Sequence, residues 1–234
     1  MSEAEARSLV VRRVHEEAKE IRAFDVLPEG ARDAHSLDFE PGQVAVVEVE
    51  GAGRAYFAIA SAPEDVELEF LVKRSSDPAA RAFYDLKPGE RLRLVGIVGH
   101  GFDLSPLAGR DLVFVAMGTG VAPLRSALRS LLRRAGEFGR VFVLYGARTP
   151  AHFCYTDETD GWKAAGVELR QVVSRPEGHE WAGPTGYVQS LLDHVLPELD
   201  NPVALVCGSR EMIEQTRARL REMGFEPERI LTNY

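Results

Sequence analysis

Hydrophobic and polar positions change rhythm near the middle of the chain. In the first half, short runs rich in β-branched residues are separated by glycine and proline. These runs are Ser8 to Val14, Val44 to Val49 after the turn Pro41-Gly42, Tyr56 to Ala60, Val66 to Val72 after Pro63, and Arg91 to Val98 after Lys87-Pro88-Gly89. In the last of them Leu92 and Leu94 alternate with Arg91 and Arg93. Short punctuated strands of this kind predict a small antiparallel barrel, taken here as six-stranded.

In the second half, strands alternate with helices. Leu112 to Ala116 is a continuous apolar run, the pattern of a strand buried on both faces. Leu124, Ala127, Leu128, Leu131 and Leu132 then recur at helical spacing, with Arg125, Arg129 and Arg133 mostly off that stripe. Further strands are predicted at Val141 to Tyr145, Val167 to Val173, Val203 to Cys207 and Ile230-Leu231. Helices are predicted near Tyr187 to Val195 and over Glu211 to Met223. Strand–helix alternation predicts βαβ units and a parallel sheet. The fold class is therefore a two-domain one, an antiparallel β-barrel followed by an α/β parallel-sheet domain. The boundary falls near Leu107 to Arg110, dividing the chain into 1–108 and 109–234.

Composition narrows the function classes. A net charge of −8 argues against partners that are nucleic acid or anionic membrane. No apolar run is long enough to span a bilayer. Met1 to Arg7 is polar and acidic with no apolar stretch behind it, so a cytoplasmic location is expected. The two cysteines, Cys154 and Cys207, cannot hold a four-thiolate iron–sulfur cluster, and no metal site is expected.

Three segments carry chemistry. Met117-Gly118-Thr119-Gly120-Val121-Ala122-Pro123-Leu124 joins a buried strand to an amphipathic helix. Its glycines allow close backbone approach to a phosphate at the helix N-terminus, and Pro123 suits the first turn. The same loop serves equally well as a ligand-free βα turn. Val206-Cys207-Gly208-Ser209 closes a later strand, at the end where ligands bind in open α/β sheets, although a small buried thiol is the commoner fate of cysteine. Ser174-Arg175 follows another strand, with Tyr187 beyond it. The arginine suits a phosphate and the tyrosine an adenine face, while a solvated loop with a packed tyrosine fits as well.

Taken in order, the motifs resemble the ferredoxin–NADP reductase superfamily over nearly the whole chain. Phe39-Glu40-Pro41-Gly42-Gln43 resembles its F-x-P-G-Q turn, and Phe57-Ala58-Ile59-Ala60-Ser61 its flavin-binding strand. Gly96-Ile97-Val98-Gly99-His100-Gly101-Phe102 resembles the end of its flavin domain. Gly118 to Pro123, Tyr145-Gly146-Ala147-Arg148, Gly186-Tyr187-Val188-Gln189 and Cys207-Gly208 follow in family order. The nearest likeness is to small plant and bacterial reductase-like proteins.

The resemblance implies FAD on the barrel domain and NADP, or NAD, on the α/β domain. Reducing equivalents would pass to a separate acceptor, an electron-carrier protein or a partner subunit. It places Phe57, Ala58, Ile59, Ala60, Ser61, Ala79 and Ala80 at the flavin. Gly118, Thr119, Gly120, Val121, Pro123, Arg148, Ser174, Arg175, Tyr187 and Gly208 fall at the nucleotide. Cys207 falls beside the nicotinamide, and Tyr234 covers the flavin ring. Aligned on Ile59-Ala60-Ser61, the chain departs from the family at Ala55, Phe57 and Ala58, where relatives carry Arg, Tyr and Ser, unless Arg54 and Tyr56 take the first two places through a one-residue bulge. It departs also at Thr232, where plant-type relatives carry a catalytic Glu. At the second flavin-phosphate position it reads Ser75-Ser76-Asp77-Pro78, a good helix start whose carboxylate opposes a pyrophosphate. These departures motivate an alternative, a nucleotide-binding reductase relative that has lost flavin turnover and acts as a sensor or interaction subunit.

Overall fold

The computed structural model describes residues 6–134, 136–176, 178 and 180–234. Its first half is a six-stranded antiparallel sheet of β1 (Arg7–Ala18), β2 (Ile21–Pro28), β3 (Val44–Val49), β4 (Gly53–Ala58), β5 (Leu68–Lys73) and β6 (Arg91–Val98), in the order β4-β3-β6-β1-β2-β5. The expected barrel is an incompletely closed one. Its two edge strands meet through one isolated bridge, Ile59 to Phe70, supported by the bond from Ala60 N–H to the Glu69 carbonyl at 2.8 Å.

The sequence pattern misses β2, and its burial explains why. Phe24 and Val26 pack inside the curled sheet, while Ile21 and Ala23 pack against the second half of the molecule. A strand covered on both faces loses the polar–apolar alternation that marks a half-buried one, and here it also carries a buried Asp25.

Between β5 and β6 lies α1 (Pro78–Asp85), starting where the Asp77-Pro78 pair predicts. The Asp77 carboxylate accepts from Ala80 N–H at 2.8 Å. Eight residues are fewer than the roughly 12–15 a helix needs to hold alone in water. The helix is held by Phe83, fully buried between Phe24, Phe57 and Phe70 with ring centroids 4.9–5.7 Å away. Burying such a ring contributes about 1.5–3 kcal/mol.

The second half is a parallel sheet of β7 (Leu112–Met117), β8 (Val141–Ala147), β9 (Val167–Val173), β10 (Val203–Cys207) and β11 (Ile230–Leu231), in the order β11-β10-β7-β8-β9. From β7 the chain winds outward through β8 and β9, then crosses to β10 and β11 on the other side. The switch point lies between β7 and β10. One face is covered by α2 (Val121–Arg133) and α3 (Thr159–Ala164), the other by α4 (Leu192–Val195) and α5 (Arg210–Glu222). The helix expected at Tyr187 to Val195 is a 3₁₀ turn, Val188–Leu191, running into the single turn of α4. Tyr187 itself is extended. The short α3 has no counterpart in the sequence reading.

The core under α2 continues into the first half through Ile21, Ala23, Ala60 and Leu71, so the two halves share an apolar seam. Among the described residues no helix is long and apolar enough to cross a membrane, and no group of three or more His, Cys, Asp or Glu is arranged to hold a metal.

Candidate functional site between the two sheets

A cavity of about 1010 Å³ opens between the halves. Drug-sized pockets span roughly 300–1,000 Å³, so this one has room for more than a single ring system. It lies at the carboxyl ends of β7 and β10, on either side of the switch point.

One wall is made largely of backbone. Gly118 follows β7 with φ of +56°, a left-handed conformation that glycine adopts freely. Gly120 passes so close to the end of β10 that a Cβ would lie 2.5 Å from the Cys207 carbonyl oxygen. Gly118–Gly120 form a 3₁₀ turn that runs directly into α2, with Val121 N–H bonded back to the Gly118 carbonyl and no side-chain cap, so the positive dipole end of the joined helix lies at this wall. The Tyr145 hydroxyl braces the loop from below, donating to the Gly118 carbonyl at 3.1 Å.

Strand pairing gathers the next group. Beyond the ends of β8 and β9, Ser174 N–H bonds the Ala147 carbonyl and Arg175 N–H bonds the Arg148 carbonyl, at 3.0 and 2.8 Å. Gly186 N–H in turn reaches the Val173 carbonyl at 2.9 Å. These continuations place Arg148, Ser174, Arg175 and Tyr187 along one rim of the cavity, with Tyr187 68% exposed.

The opposite wall is made of side chains: Val44 from β3, Tyr56, Phe57 and Ala58 from β4, and Val98 at the end of β6. The final residues Asn233 and Tyr234 complete it. Asn233 is buried and donates to the Gly42 carbonyl at 2.9 Å, and its own carbonyl accepts from Gly101 N–H at 3.2 Å.

Of the residues expected at a ligand, Phe57, Ala58, Gly118, Thr119, Gly120, Pro123, Arg148, Ser174, Arg175, Tyr187, Cys207, Gly208 and Tyr234 line this cavity. Ile59, Ala60, Ser61, Ala79, Ala80 and Val121 do not. Ile59 points into the barrel core, and Ala60 and Ser61 turn towards α2, where their carbonyls accept from Arg125 and Ser126. The Ser61 hydroxyl is already engaged, accepting from Glu69 N–H at 3.0 Å. Ala79 and Val121 are core residues, and Ala80 N–H bonds the Asp77 cap.

Burial pushes the Cys207 thiol up to about 12, so it enters the cavity as a neutral thiol rather than a thiolate. Lys73, Arg148 and Arg175 line the cavity and, among the described residues, their side chains make no ion pair. The charge of Lys73 and Arg148 is felt by His152, whose pKa is lowered first by burial and then by Lys19, Lys73 and Arg148. The sequence reading missed Lys73, His152 and Asn233. Lys73 is the one exposed residue of an otherwise buried strand, and nothing local marks it as facing the other half.

Comparison with known proteins agrees with this geometry. The profile of the oxidoreductase NAD-binding domain matches residues 114–218. Ferredoxin–NADP reductase B of Sorangium cellulosum is 34% identical over 207 residues, covering 82% of this chain and 83% of that protein. The chain belongs to the ferredoxin–NADP reductase superfamily.

As a member of that superfamily it is an oxidoreductase with an NAD-binding domain. Sulfhydrogenase 1 subunit gamma of Pyrococcus furiosus, a second relative, is 27% identical over 201 residues, spanning 84% of this chain and 68% of that protein. Among solved structures, a ferredoxin NADP⁺ reductase from Neisseria gonorrhoeae with bound FAD and NADP superposes with a TM-score of 0.80. The match is 21% identical and covers 98% of each chain, which shows a common fold.

The residues present fit the superfamily's two cofactors unequally. An uncapped helix end, the close-set Gly120 and three cations suit a dinucleotide phosphate. The apolar shelf of Val44, Phe57 and Val98 suits an aromatic ring system. For a flavin diphosphate the fit is poorer at α1, which Asp77 caps with its own carboxylate; Ala55 turns into the barrel core opposite Val47, and it is the neighbouring Tyr56 that reaches the cavity.

Proposed function

We propose that this reductase relative moves reducing equivalents from NADPH, with NADH as the alternative donor, through FAD to a separate acceptor of ferredoxin type or to a partner subunit. The observation that carries this reading is one cavity with an aromatic, apolar wall from the first sheet and a phosphate-suited wall from the second. Residues 1–108 are assigned to the flavin and 109–234 to the nucleotide. Reductases of the superfamily named for ferredoxin and subunits of larger redox assemblies both occur among the relatives, which supports an acceptor outside this chain.

When bound, flavin supplies the step from two-electron to one-electron chemistry. The chain's part is binding and orientation. The Gly118–Gly120 backbone and the start of α2 receive the diphosphate. Ser174 and Arg175 take a 2′-phosphate, and Tyr187 stacks on the adenine. Phe57 and Ala58 lie against the flavin ring on one side, with Tyr234 over it. Cys207, neutral and buried at the junction of the walls, sets where the nicotinamide ring rests. No proton-transfer residue is required for hydride transfer, so Thr232 in place of a plant-type Glu does not forbid it.

The test is the visible spectrum of the purified chain, with and without added FAD, followed by anaerobic NADPH. Flavin bands that bleach with NADPH support the proposal. A second reading, a nucleotide binder without flavin turnover, is favoured by the Asp77 cap. A colourless chain that refuses FAD yet binds NADP⁺ would establish it instead.

A further inference from the structure

The arginines of α2, set off its apolar stripe, face the first half of the molecule. Arg125 is 6% exposed. Its guanidinium lies 4.2 Å from the centre of the Tyr155 ring and forks onto the Glu158 carboxylate, with Nε at 3.0 and 3.1 Å from the two oxygens. Nη2 also comes within 3.2 Å of Glu69 Oε2, and Nη1 donates to the Ala60 carbonyl at 2.9 Å. The Tyr155 hydroxyl closes the cluster, donating to Glu69 at 2.8 Å. Tyr155 is itself held with φ of +58°, a conformation rare for a bulky residue. The next residue, Ser126, donates to the Ser61 carbonyl at 2.6 Å and accepts from Gly42 N–H at 3.0 Å.

Stability alone does not account for so many buried polar groups, since well-packed apolar side chains do as well or better in such places. Their directionality does distinguish them. A guanidinium fork fixes the angle of its acceptors as well as their distance. The points it ties are placed tellingly. Ala60 and Ser61 follow Phe57 and Ala58 of the apolar wall, and Gly42 precedes Val44 of that wall. Arg125 and Ser126 lie one turn beyond the Gly118–Gly120 loop of the opposite wall.

We infer that Arg125 and Ser126 are positioning residues which set the separation and angle of the two cavity walls, and so of the two rings that must meet between them. The inference rests on the function proposed above in taking the walls as flavin and nucleotide sites. Transfer between rings is steeply sensitive to placement, and a displacement of about 1 Å can lower a rate about 10²-fold.

The test compares the full chain with Arg125→Met, Ser126→Ala and, as a control, Arg134→Ala, which breaks an exposed pair with Glu137 just past the end of α2 and outside this cluster. Three quantities are read: NADP⁺ affinity by calorimetry, flavin reduction at saturating NADPH by stopped flow, and hydrogen exchange of the Ala60, Ala62 and Glu69 amides in the chain without cofactors. For Arg125→Met the expected result is NADP⁺ affinity within about threefold of the parent and flavin reduction slowed at least about tenfold. The three amides should exchange at least about tenfold faster. Ser126→Ala should move the same way by less, and it decides the matter if Arg125→Met does not fold. Arg134→Ala should stay near the parent.

Unchanged flavin reduction, or affinity and rate falling together, would overturn the positioning role. If the parent binds no nucleotide and reduces no flavin, the proposed function has failed instead. Exchange then judges the brace alone, and unchanged exchange in both Arg125→Met and Ser126→Ala would sink it.

Discussion

The two walls of the cavity are built by opposite means. On the side of β7 and β10 the contacts on offer are backbone N–H groups, a helix end and Gly120, which admits no Cβ. On the side of β3, β4 and β6 they are side chains: Val44, Tyr56, Phe57, Ala58 and Val98. A backbone site has a narrow sequence signature, because only glycine fits where the chain passes within van der Waals reach of its neighbour. A side-chain site changes chemistry with each substitution while the strand beneath it stays put. That contrast explains why the glycine motif after β7 reads cleanly here, and why β4, which resembles the family's flavin-binding strand, keeps its place in the sheet while its side chains differ.

The sharpest break of this comparison is Gly120→Ala. A Cβ there would sit 2.5 Å from the Cys207 carbonyl oxygen and 2.8 Å from Gly208 Cα, backbone atoms that cannot swing aside. NADP⁺ affinity, measured by calorimetry, should fall about 100-fold, the upper end of what overpacking costs. FAD uptake should be nearly untouched. Equal losses of both ligands would mean the walls are not separable.

Next in size is Arg175→Ala. If this cation, without an ion pair among the described residues, takes a 2′-phosphate, NADPH should bind about tenfold or more weakly, with NADH nearly unchanged, as expected for losing a charge-assisted bond. Equal changes for both nucleotides would remove the NADP assignment.

Two changes at the junction of the walls should act in different ways. Tyr234→Ser uncovers the site and should tighten nicotinamide binding a few-fold. Cys207→Ala should slow flavin reduction a few-fold with affinity unchanged, since the thiol acts on ring placement. Because burial holds that thiol up to about 12, the rate should show no thiol titration between about pH 6 and 9, a range that spans the ordinary cysteine value. A step there that vanishes in Cys207→Ala would refute the neutral-thiol role.

The smallest effect tests the side-chain wall. Asp77→Ser keeps an N-cap for α1 while removing the carboxylate, so the melting temperature should hardly move. FAD should then be retained a few-fold better through gel filtration. No gain in retention would show that the cap's charge is not what weakens the diphosphate site.

Most of the parallel sheet was legible in the sequence. Leu112 to Ala116, Val141 to Tyr145 and Val203 to Cys207 are apolar runs that only doubly covered strands require, and all three are strands. The Asp77-Pro78 helix start also followed from local chemistry alone. The strand β2 was not legible, because contact with the other half buries the face that would otherwise be polar. Tyr187 to Val195 was misjudged as a helix for a related reason. Its apolar spacing serves packing of a 3₁₀ turn under β7 and β8, not a full helical face.

The candidate site divides along the same line. Gly118, with its left-handed φ, and Gly120, with no room for a Cβ, are requirements of the local backbone and its nearest strand, and short-range spacing is enough to reveal them. Ser61 shows the limit of motif transfer. It stands at a flavin-strand position in sequence, but its hydroxyl is spent on Glu69 and its carbonyl on Ser126. Lys73, Asn233 and Arg125 carry no signal of their own. By itself the sequence determined which segments become strands, which turn must be glycine and which superfamily the chain resembles, because each of these depends on residues near one another along the chain. Only the tertiary structure decided which side chains face the cavity and which turn away to fasten the halves. Those choices are made where β5, α2 and the 149–158 segment meet, by contacts between residues far apart in sequence that no local periodicity encodes.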